Sequence, residues 1–288
     1  MGLPAPPPFG TAMLPAGTYD GQVVLVTGGG TGLGRAIATE FSRLGASVAI
    51  ASRNPEHRSA GVAAVEAAGG RGIGIELDIR DPEEVARAFD EIEGSLGQVT
   101  SLINNAAGNF PVLAEQMSPN AWRSVVDIVL NGTFFCSTEF ARRAIAAGSG
   151  GAIVNIGATY AWTGGPSTAH SAAAKAGVDN MTKSLAVEWA PHGIRVNCLA
   201  PGLFPHGDHP EALARARRGT DRDATVPAGR VGALHELGWA ATYMCSPFAV
   251  YLSGHTLVLD GANWLRRSLV MPTFVPVADQ LAGYGGDE

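Results

Sequence analysis

Cysteine is scarce in this sequence. Cys136, Cys198 and Cys245 are the only three, far apart and each in apolar surroundings. An odd, scattered set argues against a disulfide framework or a zinc site and suits core packing in a reducing compartment. Charge is thin too, at 16 % of residues, with a net value of −6 that speaks against nucleic acid and anionic membranes as partners. No apolar run approaches the roughly 20 residues of a membrane span. The N-terminal stretch lacks the basic start and apolar core of a secretory signal. It also has no arginine before Arg35, unlike a transit peptide. A cytoplasmic location is therefore expected. His206, Asp208 and His209 lack further ligands at supporting spacing, so a polar turn is expected there and no metal.

What is present is a repeated alternation of apolar runs with helical periods. The chain of 288 residues has room for one large α/β domain. Residues 1–16, with Pro4, Pro6, Pro7 and Pro8, read as a loose extension, and 17–288 as a single domain. Strands are predicted at 23–26, 47–51, 72–77, 100–103, 152–156, 194–199 and 256–259. Helices are predicted at 33–44, 55–68, 81–93, 118–147, 169–189 and 234–245. This pattern means a parallel sheet of about seven strands with helices on both faces. Residues 203–226 have no clear period and read as a lid over the site, and 263–288 as a tail.

The organising stretch runs from Val23 to Gly34. A continuous β-branched apolar run passes into Gly28, Gly29, Gly30, Gly32 and Gly34, and a helix follows. Glycines let a backbone approach a pyrophosphate, and a helix N-terminus offers it N–H groups and a positive dipole end. The spacing Thr27-Gly28-x-x-x-Gly32-x-Gly34 resembles the short-chain dehydrogenase/reductase family. The resemblance extends through Asp78, Asn104-Asn105-Ala106-Ala107-Gly108, Pro201-Gly202 and Asp260-Gly261. It implies a single doubly wound Rossmann domain. It also implies that Thr27, Gly28, Gly30, Thr31, Gly32, Leu33 and Gly34 cradle the cofactor, with Asp78 and Ile79 at the adenine. Asn105 and Ala106 would flank the cofactor, and Pro201 and Gly202 would border the nicotinamide. A homotetramer, built through the helices after strands four and five, is implied in the same way.

An NAD enzyme needs a carboxylate after its second strand. Here that region reads Ala51-Ser52-Arg53, without an acid. Arg53 is placed to pair with a 2′-phosphate, so NADP(H) is the expected cofactor. The alternative is a solvated surface arginine.

Mainstream members of the family carry Tyr-x-x-x-Lys on the helix after strand five, with a serine thirteen residues before the tyrosine. This sequence keeps Lys175 but has Ser171 at the tyrosine position and Ala158 at the serine position. The family's asparagine three residues before the helix glycine is replaced by Val129. Serine is too weak an acid to take over from tyrosine. Tyr160, two residues past Ala158, offers a phenol. On an extended segment both side chains point the same way.

This pattern of substitutions resembles the NADPH-dependent 2,4-dienoyl-CoA reductases, as do Asn104 to Phe110, Asp127 to Thr133 and His170 to Gly177. By that resemblance Tyr160 and Asn109 bind the thioester oxygen, Lys175 and Ser171 support the site, and Lys175 also reaches the cofactor ribose. Phe110, Ser118 and Arg53 contact the acyl-CoA. Two readings stand beside this one: a reductase of a ketone or 3-oxoacyl thioester, and a catalytically silent NADP-binding regulator. Arg215, Arg217, Arg218 and Arg222 are either contacts for CoA phosphates or a solvated helix face.

Overall fold

β1 (Val23–Thr27) is buried along its whole length. Val23 and Leu25 join one hydrophobic cluster and Val24 and Val26 the other, as side chains alternate across a strand. The structure, a computed structural model, describes residues 3–207 and 223–266. In it β1, β2 (Ser47–Ser52), β3 (Arg71–Glu76), β4 (Val99–Asn104), β5 (Gly151–Ile156), β6 (Ile194–Pro201) and β7 (Thr256–Leu259) form one parallel sheet. The strand order is β3-β2-β1-β4-β5-β6-β7. The order reverses between β1 and β4, which opens a crevice beyond the carboxyl ends of the strands.

Helices α1 (Gly32–Arg43), α2 (Pro55–Ala67), α3 (Pro82–Leu96), α4 (Pro119–Val126), α5 (Gly132–Ala147), α6 (Tyr160–Thr163), α7 (Ala169–Trp189) and α8 (Leu234–Cys245) accompany the strands. Phe89, Phe140 and Trp189 pack on one face of the sheet, and Phe41, Val65 and Leu237 on the other. The proline-started helices have side-chain caps. Asn54 accepts from Glu56 and His57 N–H, and Asp81 from Glu83 and Glu84 N–H. These bonds satisfy N–H groups that would otherwise be orphaned at the first turn.

Three local features depart from the sequence reading. The helix expected over 118–147 is interrupted by a π stretch, Asp127–Asn131. It delivers Gly132 against Ile79, where an added Cβ would lie 2.6 Å from the isoleucine side chain. The segment carrying Tyr160 is not extended. Thr159 is helical (φ −67°, ψ −27°) and α6 is a single turn. Residues 3–16 have no helix or strand, in keeping with their prolines, yet they are tied to the body. Leu3 N–H donates to Ala228 O (2.7 Å), Arg230 Nε to Pro4 O (2.9 Å) and Trp239 Nε1 to Thr11 O (3.0 Å).

Of the expected lid, 208–222 lies outside the described residues, and so do the arginine cluster at 215–222 and 267–288 of the tail. No helix among the described residues is long and apolar enough to cross a membrane.

Candidate active site

The turn after β1 is held open by its own contacts. Gly28 and Gly32 take positive φ (+64° and +48°), a backbone that favours glycine. At Gly34 a Cβ would sit 2.4 Å from Gly28 O. Asn105 Nδ2 donates to Thr27 O (3.0 Å) and Gly28 O (3.1 Å). Thr27 Oγ1 accepts N–H bonds from Asn105 and Ala106, both 3.0 Å. Two of the expected motifs, on β1 and β4, are thus stitched together.

These elements wall a cleft of about 370 Å³ at the switch point. Gly28 and Thr31 line it from the turn, Gly32, Leu33 and Gly34 from the start of α1, Ser52 and Arg53 from the end of β2, Asp78 and Ile79 from the loop after β3, and Asn105 and Ala106 from the loop after β4. Thr27 and Gly30 stand behind this wall. A Cβ at Gly30 would lie 2.1 Å from His57 O. Pro201 and Gly202 close β6 and follow it, and a Cβ at Gly202 would lie 2.4 Å from Asp260 Cβ. His57 and His206 also line the cleft, and the sequence reading assigned neither to it. His57 arrives on the first turns of α2.

The cleft suits a dinucleotide. Its glycines leave room that side chains would fill, and α1 points its N-terminus inward without a side-chain bond from its cap residue Thr31. At the end of the cleft beside β2 and β3, Arg80 grips Asp78 through Nε at 2.9 and 3.0 Å and also through Nη2. That grip holds the Asp78 carboxyl below the usual carboxylate range. Arg58 is bound to Ser52 O (2.8 Å), Arg53 O (3.0 Å) and Glu76. Arg53 is held least: its side chain is 60 % exposed, with Nη1 3.6 Å from Asp78.

On the other side of the switch point, α7 carries Ser171 and Lys175 one turn apart, both buried. The Tyr160 hydroxyl lies 3.1 Å from Ser171 Oγ. Lys175 Nζ donates to Ile156 O, the last carbonyl of β5. Burial pulls the Lys175 ammonium down from 10.5 to about 8. Val129 is buried against Val125, Ala174 and Val178, so an apolar contact fills the family's asparagine position. His170 is fully buried. Its Nδ1 accepts the Ser171 N–H at 2.8 Å, and its ring meets Phe110 edge-on at 4.9 Å.

Asn109 and Phe110 are exposed on the loop after β4. Ser118 Oγ is occupied as the cap of α4, accepting Ala121 N–H at 3.1 Å. Beneath the site, Asn104 Nδ2 donates to Ser137 Oγ (2.9 Å) and Asn155 Oδ1 (2.8 Å), and Asn155 Nδ2 to Thr182 Oγ1 (2.9 Å). This buried chain joins β4 and β5 to α5 and α7. The sequence reading missed it because its members are far apart in the chain. The arrangement presents a phenol, an alcohol and an ammonium beside a dinucleotide cleft. Among the described residues no group of histidine, cysteine and carboxylate side chains is placed to hold a metal ion.

The family model described as enoyl-(acyl carrier protein) reductase matches residues 28–262. A Bacillus subtilis protein named as a probable 2,4-dienoyl-CoA reductase, (2E)-enoyl-CoA-producing, is 39 % identical over 247 residues, covering 85 % of this chain and 97 % of that one. A peroxisomal 2,4-dienoyl-CoA reductase of Mus musculus, (3E)-enoyl-CoA-producing, is 40 % identical over 250 residues, covering 85 % and 84 %. The crystal structure of a short chain dehydrogenase from Bacillus anthracis superposes with a TM-score of 0.78 at 41 % identity, covering 86 % of this chain and 98 % of that one.

Proposed function

The chain belongs to the short-chain dehydrogenase/reductase family of oxidoreductases, and from that premise we propose that it reduces 2,4-dienoyl-CoA with NADPH in fatty-acid degradation. The observation that carries this reading is the Tyr160–Ser171 hydroxyl pair, 3.1 Å apart and one turn from Lys175. A ketone reductase of the usual kind needs its tyrosine at position 171. A dienoyl thioester needs a donor at the thioester oxygen instead.

A nicotinamide cofactor held along Gly28, Gly32, Arg53 and Asn105 would supply hydride, and C5 of the 2,4-dienoyl chain is the carbon that would accept it. The electron pair moves through the conjugated system onto the thioester oxygen, forming a dienolate. Tyr160 and Asn109 donate to that oxygen as an oxyanion hole. Ser171 holds the phenol, and Lys175 supports the site. One proton from solvent completes the balance. Its delivery to C2 leaves the remaining double bond at C3, and delivery to C4 would leave it at C2. We read delivery to C2, and so a 3-enoyl product, as the name of the Mus musculus relative prints for that enzyme.

Arg53 and the lack of an acid at the end of β2 support NADPH over NADH. The exposed apolar side chains Trp122, Phe134 and Val187, on α4, α5 and α7, support assembly as a homotetramer through those helices. The absence of a membrane-spanning helix among the described residues and three free cysteines are compatible with a cytoplasmic enzyme.

The test is NADPH oxidation against a panel: a 2,4-dienoyl-CoA, a 2-enoyl-CoA, a 3-oxoacyl thioester and a simple ketone. Turnover of the dienoyl-CoA alone, with a 3-enoyl product by NMR, is the expected result. Preferential turnover of the ketone or 3-oxoacyl thioester would replace this reading with that of a carbonyl reductase. No turnover with intact NADPH binding would favour a silent regulator.

A further inference from the structure

α6 is only four residues long, too short to stand as a helix by itself. It nevertheless carries Tyr160. What holds it is a ladder on α7. Ser171, Lys175, Asp179 and Lys183 follow one another at intervals of four and share one face of that helix. The first rung meets Tyr160, at 3.1 Å. The second, Lys175, reaches back to β5 at Ile156 O. The third meets α6 again: Trp162 Nε1 donates to Asp179 Oδ2 at 3.5 Å.

Asp179 is itself fixed. It is buried, accepts Thr256 Oγ1 from β7 on one oxygen (2.5 Å) and Lys183 Nζ on the other (2.6 Å). Burial acts to raise its pKa, but the bonds from Lys183, Thr256 and Trp162 outweigh that and hold it below the usual carboxylate range. It therefore stands as a carboxylate acceptor tied to the sheet. Trp162 is fixed from the other side as well. Its ring packs against Trp264, centroids 5.7 Å apart, and Trp264 N–H donates to Asp260 Oδ2 at 2.7 Å. The turn bearing Tyr160 is thus pinned between α7 and the chain that follows β7.

We propose that Trp162 and Asp179 are positioning residues, which fix the α6 turn on α7 so that the Tyr160 hydroxyl is held at Ser171 and presented to the substrate. Neither need touch substrate or cofactor. The catalytic part of this proposal rests on the dienoyl-CoA reading. The tethering part does not.

Two measurements separate them. The first is hydrogen exchange of the cofactor-bound protein. In Trp162→Ala and Asp179→Ala, amides in 157–165 are expected to exchange about tenfold faster, with 151–156 in β5 unchanged. Unchanged exchange in 157–165, or acceleration spread evenly over the chain, would overturn the tether. The second is steady-state turnover of a 2,4-dienoyl-CoA. Each variant is expected to lose about tenfold in kcat with the KM for NADPH preserved. The same substitutions in a Tyr160→Phe background are expected to cost nothing further, because they act through the phenol. Additive losses would overturn the positioning role. Asp179→Asn can turn its amide oxygen to the Trp162 and Lys183 donors and donate its NH2 to Thr256 Oγ1, so it is expected to recover most of the turnover, and failure to recover it would also count against the tether. Trp162→Phe keeps the ring and serves where the alanine variant does not fold. It is expected to show the same losses in weaker form, and wild-type behaviour in both measurements would count against the hydrogen bond. A wild-type enzyme without dienoyl-CoA turnover would overturn the substrate reading and leave the exchange result to decide the tether.

Discussion

The hydroxyl of Tyr160 lies 3.1 Å from the hydroxyl of Ser171. On the proposed reading, Tyr160 on α6 supplies the phenol missing from α7, with Ser171 as its hydrogen-bond partner. A phenol is the stronger acid of the two and the better donor to a developing enolate. Tyr160→Phe keeps the ring and removes only that donor. We expect kcat on 2,4-dienoyl-CoA to fall by about 10²–10³ with NADPH affinity preserved. Ser171→Ala is expected to cost less, because its hydroxyl only holds the phenol. Steady-state kinetics of the two variants side by side decide this. A near-wild-type Tyr160→Phe would remove the main reason for the dienoyl-CoA reading.

Lys175 gives the protein a stability that depends on pH. Burial lowers its folded-state pKa to about 8, against 10.5 unfolded. Below about pH 8 both states bind the proton, and the full desolvation penalty opposes folding. Between these values the unfolded state binds more protons than the folded one, so stability rises with pH. The gain approaches about 3 kcal/mol once pH passes the unfolded value. Lys175→Met lacks this contribution. Urea unfolding of the cofactor-free protein at pH 7 and pH 10 is expected to show wild type gaining on Lys175→Met as pH rises. An identical pH response in the two proteins would mean that the lysine is better solvated than its surroundings indicate.

Much of the cofactor cleft was legible because its cause is local. The β1 run, the glycine turn and α1 are consecutive, a Cβ at Gly30 or Gly34 would lie within 2.4 Å of backbone oxygens, and Gly28 and Gly32 take positive φ. Asp81 and Pro82 fix the start of α3 with no help from the fold. The π stretch at Asp127–Asn131 was not legible, because one extra residue in a turn barely disturbs a helical period. The turn at Tyr160 was misread as extended for a related reason. Four residues carry no period, and the helix is imposed by bonds to Ser171 and Asp179. His57 reaches the cleft only through folding, and nothing around it in the chain announces it, whereas His206 and His170 lie in segments the sequence already set near the site.

The N-terminal strap should stabilise without taking part in chemistry. Its carbonyls accept from Arg230 and Trp239, His235 Nε2 lies 3.1 Å from Pro7 O, and the Arg43 guanidinium stacks 4.5 Å over Phe9. Each such bond contributes about 0.5–1.5 kcal/mol before the entropy of ordering the segment is subtracted. Deleting residues 1–12 is expected to lower Tm by several degrees and leave the KM for NADPH unchanged. Differential scanning calorimetry with parallel kinetics checks this. An unchanged Tm would show that ordering the segment costs as much as its contacts return.

Cofactor choice should rest on Arg53. Arg53 lines the cleft beside β2 and β3, while nearby Arg80 is committed to Asp78 and Arg58 to the end of β2 and Glu76. Asp78 is the acid nearest Arg53, and its charge is already paired. It therefore competes weakly for Arg53, whose exposed guanidinium can turn to a 2′-phosphate. A charge-assisted bond that forms only with NADPH is worth roughly 1.5–3 kcal/mol, or about ten- to a hundredfold in affinity. Arg53→Ala is expected to erase most of that preference and leave NADH binding nearly intact, because NADH offers the guanidinium no phosphate there. Arg80→Ala is expected to weaken the preference too, for a different reason. Asp78 loses its partner and draws Arg53 away from the phosphate. Titration of both cofactors against the three proteins separates these effects. Equal affinity of wild type for NADPH and NADH would overturn the assignment of Arg53, whatever the variants show.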